Sequence, residues 1–212
     1  STATVAETIL EALSEDSEDR VHVLRVLLGA RDSLGLEAEA LTLLKQLVTT
    51  GKASFEEKRR LAHKSHGLDM PLAASLFEEL ADGDEGLDSR AEHWFKAAQN
   101  RYNLQENDSA ASALEKALEH GYDSLSAFSL ALELLEVNKR GHAIEGFLRH
   151  GGDEDWDTEK RFEIREELVE SYFSKNELEP IWQTLRELEN LEVNSQTIAL
   201  KEKLLEAQGN TH

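Results

Sequence analysis

The chain has 212 residues, 40% of them hydrophobic, with 43 acidic side chains against 23 basic ones and a formal net charge of -20. That length allows one or two globular domains or one elongated array, and so acidic a surface repels phosphate backbones, which argues against nucleic-acid binding. There is no cysteine, which excludes disulfides, thiolate metal sites and cysteine nucleophiles, and no apolar run reaches the about 20 residues that a membrane helix needs.

The opening STATVAETILEAL lacks the basic region of a signal peptide and reads as an amphipathic helix over 2–14, so a cytoplasmic location is expected. Helices follow at 18–33, 36–50, 54–66, 70–82, 88–104, 108–120, 124–138, 141–150, 158–175, 178–190 and 195–208. Valine and isoleucine are sparse and never alternate cleanly with polar residues, so strands are not expected. Pro71 and Pro180 stand at helix starts, where a missing N–H is harmless. Asn107, Asp108 and Ser109 can cap the helix that follows. Gly51, Gly83, Gly121 and Gly151 stand where helices end. The last segment, SQTIALKEKLLEAQ, is polar around most of its circumference and suits a capping helix.

A small residue followed four places later by a large apolar one recurs along these helices. The pairs are Ala40 and Leu44, Ala73 and Phe77, Ala110 and Leu114, and Ala143 and Phe147, with Ile181 and Leu185 as a fifth whose first member is larger. Their first members lie 33, 37, 33 and 38 residues apart. Such a period predicts stacked helix pairs, in which the small residue allows close approach and the large one fills the gap beside it. The unit from Ala91 to Gly121 carries Trp94, Ala97, Ala98, Tyr102, Ala110, Leu114 and Ala117, and Tyr172 recurs in the last unit. On these residues the chain resembles the tetratricopeptide repeat family. Tyr102 sits one place late, and the Leu-Gly step of the motif survives only as Leu28-Gly29. The expectation is an all-α, right-handed α-solenoid of about five antiparallel helix pairs. It would form one domain over 1–212, with repeats over about 21–190 between terminal helices at 2–14 and 195–208.

The resemblance implies that the first helices of the pairs line a concave groove for a partner segment. By register the groove would present Val23 and Val26, then Arg59, His63 and His66, then Phe95, Gln99 and Tyr102. Toward the C-terminus it would present Glu133, Glu136, Glu163, Glu166 and Glu170. With Arg59 as its one basic member it does not fit a C-terminal carboxylate, and it matches a basic, partly apolar protein segment. The apolar residues Val5, Ile9, Leu13, Val23 and Val26 also give the N-terminal end a surface for a second copy of the chain.

Other chemistry is sparse. His63 and His66 share a helix face and with Glu92 could hold a metal, but no HExxH motif occurs and nothing fixes a third ligand. The loops at 81–88 and 151–159 space acids like calcium loops, yet lack the glycine at the sixth position and the glutamate at the twelfth. No phosphate loop or nucleophile elbow appears. The sequence therefore reads as a protein-interaction scaffold without cofactor or catalysis. The alternatives are a chaperone dedicated to one client and, from another class, a helical enzyme or metal-binding domain.

Overall fold

A computed structural model describes residues 8–10, 12–14, 17–83, 87–137, 139, 141–150, 158–191 and 195–209. Every regular element among them is a helix: α1 (Glu18–Ser33), α2 (Glu37–Thr49), α3 (Phe55–Ser65), α4 (Met70–Gly83), α5 (Leu87–Asn103), α6 (Asn107–Glu119), α7 (Leu125–Glu136), α8 (His142–His150), α9 (Thr158–Ser174), α10 (Leu178–Leu191) and α11 (Ser195–Gly209). These bounds agree with the sequence reading to within two residues. The helix expected over 2–14 lies mostly outside the described residues, and residues 84–86 and 151–157 lie wholly outside them. Contacts gather into two compact units, residues 1–106 and 107–212. The helix pair expected at 88–104 and 108–120 contributes one member to each.

In unit 1, α1 packs on α2, α2 on α3, α3 on α4 and α4 on α5. Local chemistry sets the ends of these helices. Ser17 accepts from the Asp19 N–H at the start of α1. Ser54 and Glu57 form a capping box at the start of α3, with bonds of 3.2 and 2.7 Å. Gly51 ends α2 at φ +69, a left-handed conformation that a β-carbon disfavours. The expected small-to-large pairs Ala40 and Leu44, and Ala73 and Phe77, have no exposed surface. Burying a ring such as that of Phe77 stabilises by about 1.5–3 kcal/mol, and alanine one turn earlier leaves room for the neighbouring helix. Ion pairs then link the helices. Arg25 on α1 grips both Glu57 oxygens, at 2.8 and 3.0 Å, and Lys45 on α2 meets Asp69 at 2.7 Å. Exposed pairs of this kind add only about 0–1 kcal/mol each, so the apolar seam dominates.

In unit 2, α6 packs on α7 and α8, α9 packs on α10, and α10 packs on α11. Ala110 and Leu114 have no exposed surface, and Ile181 and Leu185 are buried. The fourth pair departs from expectation. Ala143 and Phe147 are half-buried, and Ile144 and Leu148 are the buried residues of α8. A shift of one residue turns a helix by about 100°. Its cause lies at the start of α8, where Glu115 of α6 accepts from the N–H groups of Ala143 (2.9 Å) and Ile144 (2.7 Å) and so fixes the rotation of the first turn. With Ile144 as anchor the core spacings become 33, 37, 34 and 37 residues, more even than those read from Ala143. Arg165 is also buried, its guanidinium carbon 5.8 Å from the centroid of the Phe128 ring.

Candidate functional site

The expected acidic positions lie in unit 2 on α7 and α9. These helices meet where the Ser171 hydroxyl donates to Glu136, and where the Lys175 ammonium donates to the Leu135 carbonyl. Glu133, Glu136, Glu163 and Glu170 are exposed and Glu166 is half-buried. Glu136 and Glu170 therefore have internal roles. Glu136 takes the Ser171 hydroxyl, and Glu170 takes Lys203 of α11 through both oxygens, at 2.7 and 2.9 Å. The Lys203 ammonium also sits 4.5 Å from the centroid of the half-buried Phe173 ring. A carboxylate beside an aromatic face is a receptor for a lysine: the charge pairs with the ammonium and the ring's negative face adds to it.

In unit 1, Val26 is 44% exposed and Val23 half-buried. Arg59 is exposed and pairs with Glu56 at 3.0 Å, one helical turn back. His63 is exposed at its outer edge, while its ring meets Phe77 edge-on at 5.3 Å between centroids. Desolvation of that ring, and then Lys96 nearby, hold His63 below the ordinary imidazole range. Gln99 and Tyr102 are half-buried. Phe95 departs from expectation: at 3% exposure it belongs to the core and lines no groove. The reason is the width of the buried stripe on α5. That stripe takes in Ala91, His93, Trp94, Phe95, Ala97, Ala98 and Asn100, since α5 packs on α4 and also touches α3.

Sequence reasoning named His66 but missed its partner. His66 Nδ1 lies 2.8 Å from the amide nitrogen of Asn100, which has no exposed surface. It also missed Glu115 at the start of α8 and Lys203 over Phe173. A signal for two of these was present. Asn100 follows His66 by 34 residues and Lys203 follows Glu170 by 33, each one repeat length. Residues one period apart on first helices are neighbours in a stacked array. The histidine and glutamate candidates for a metal are not assembled: among the described residues no group of three or more His, Asp or Glu is placed to hold one. Glu92 instead pairs with Lys96 at 3.2 Å. No helix among the described residues is long and apolar enough to cross a membrane.

No family model matches the chain, and no curated protein does. Among solved structures the chain is similar to the crystal structure of BtubC (BKLC) from P. vanneervenii, with a TM-score of 0.41 and 14% identity, over 90% of this chain and 88% of that one. A likeness of that degree carries no argument about function.

Proposed function

We propose that the chain is a tetratricopeptide-like protein-interaction scaffold that binds a basic, partly apolar protein segment along the acidic face of α7 and α9, in the cytoplasm and without catalysis. The observation that carries this reading is the seat of Lys203 between the Glu170 carboxylate and the Phe173 ring. This face already holds one lysine by charge and aromatic contact, the chemistry that a lysine or arginine of a partner would use. Glu133 and Glu163 are exposed on the same two helices. The formal net charge of -20 supports the same choice of partner, since like charges on a surface favour a cationic ligand and raise its association rate.

The test is binding of a segment captured by crosslinking in the native cell. Its affinity is measured at low and at physiological ionic strength, for the native chain and for Glu133→Lys with Glu166→Lys. Affinity should fall with salt, because screening shortens the reach of each charge to about 8 Å at physiological strength. The double reversal should slow association while circular dichroism stays helical. A partner whose affinity is indifferent to both changes refutes the proposal.

A further inference from the structure

Unit 1 holds a cluster of imidazoles that the scaffold reading does not use. Phe77 of α4, with no exposed surface, is met edge-on by His63 of α3 and by His66 just past its end, at 5.3 and 6.0 Å between centroids. His93 of α5, itself buried, lies 5.9 Å away. His66 is the C-cap residue of α3, and the chain turns through Gly67 (φ +76) toward α4.

The protonation state of His66 follows from its neighbours. The Asn100 amide nitrogen donates one N–H to the Lys96 carbonyl at 2.7 Å. A peptide carbonyl only accepts, so this bond fixes which end of the amide is nitrogen. The same nitrogen stands 2.8 Å from His66 Nδ1, so its second N–H points there and Nδ1 must accept. An accepting Nδ1 carries no proton. The ring is neutral and its one proton is on Nε2.

We propose that this junction is an acid-sensitive latch, in which neutral His66 ties the turn after α3 to α5 and protonated His66 releases it. A proton on Nδ1 would set two donors against each other. Reversing the Asn100 amide to accept from His66 would instead turn its oxygen toward the Lys96 carbonyl oxygen. Neither orientation satisfies both contacts, and Asn100 is fully buried, so water does not repair the loss.

The surrounding carboxylates are otherwise engaged. On α5, Glu92 holds Lys96, and on α3, Glu56 holds Arg59. Asp32 of α1 and Glu37 of α2 hold Arg60 and Lys64 on the opposite flank of α3. On α4, Glu78 holds Arg101 and Glu79 holds Lys58, while Asp69 in the turn before α4 holds Lys45. His63 acts in the same direction. Its folded form takes up a proton less readily than the unfolded chain does. That contribution is fully present above the unfolded value of about 6.5 and is lost as pH falls below it.

The inference concerns unit 1 alone and stands whether or not the face of α7 and α9 binds a partner. The test compares the full-length native chain with His66→Asn, whose side-chain oxygen can accept from Asn100 and cannot be protonated. Amide hydrogen exchange of α3 and residues 66–69 is followed from about pH 7.5 to about pH 5.5, corrected for intrinsic exchange. In the native chain the opening equilibrium should rise by up to about tenfold per pH unit for each proton taken up. In His66→Asn that rise should shrink to the share due to His63. Imidazole nitrogen NMR of the native chain gives a second readout that needs no variant, and at about pH 7.5 it should place the His66 proton on Nε2. Equal pH dependence in the two chains, or a proton on Nδ1 with the turn still protected, overturns the latch.

Discussion

Gly141 stands directly before α8, and a β-carbon there would fall on the carboxyl group of Glu115. That carboxylate accepts from the N–H groups of Ala143 and Ile144, which the first turn of a helix leaves without intrahelical partners. Two effects compete in Gly141→Ala. Removing the freedom of glycine from the unfolded chain stabilises by about 0.4–1 kcal/mol where the backbone tolerates alanine. Displacing Glu115 removes two hydrogen bonds to a charged acceptor, each worth about 1.5–3 kcal/mol, with water recovering part of this because Glu115 is half-buried. The loss wins, and the variant should be less stable by about 1–3 kcal/mol. For a chain of this size that lowers the melting temperature by about 2–12 °C, read by far-ultraviolet circular dichroism. The double-mutant cycle with Glu115→Ala makes the argument sharper. Once the carboxylate is gone, alanine at 141 displaces nothing and should be neutral or slightly stabilising. An unchanged melting temperature for Gly141→Ala, or the same loss in both backgrounds, refutes the reasoning.

Ala110 has no exposed surface, so Ala110→Leu must force its added carbons into a filled seam and should destabilise by about 1–3 kcal/mol, measured by urea unfolding; the solvent-facing Ser112→Ala on the same helix should change stability little. Glu57 is held down to about 2, first by its bond to Arg25 and then by the backbone and hydroxyl of Ser54, against the opposing effect of burial. A depressed carboxylate contributes stability that is complete above its unfolded value of about 4.5 and is lost as pH falls from there to about 2. Arg25 is 44% exposed, so screening limits the effect to about 1 kcal/mol. Glu57→Gln should flatten the acid limb of the unfolding midpoint by that amount, and an unaltered acid limb counts against the pairing.

The core was legible because apolar burial leaves a periodic trace. Ala40, Ala73, Ala110 and Ile181 were found from spacing alone, and all are buried: the alanines allow close approach of a neighbouring helix, and Ile181 fills its contact with its own bulk. The reading failed where a polar residue overrode the apolar pattern. Ala143 with Phe147 matches the motif as well as Ile144 with Leu148 does, and nothing in either pair chooses between them. The choice is made by Glu115, 28 and 29 residues earlier, through two backbone bonds. Phe95 failed for a related reason. The register gave α5 one buried side, whereas contact with both α3 and α4 buries a wider arc.

The site was less legible than the core, because charge at the sequence level does not say which acids are already engaged. Asp32, Glu57, Asp69, Glu78 and Glu92 in unit 1 all hold basic residues there, and Arg25, 32 residues before Glu57, is about one repeat length away. Glu170, read as part of an open groove, holds Lys203 33 residues later. Pairing at the repeat period is what side-by-side first helices of neighbouring repeats would give, since they present equivalent positions to each other. An acid whose counterpart one period on is basic can close on its own chain, as Glu170 does on Lys203. Glu133 and its counterpart Glu166, 33 residues later, are both acidic, as are Glu136 and Glu170, 34 residues later. These like charges on α7 and α9 repel one another, and the proposed cationic partner would offset that repulsion.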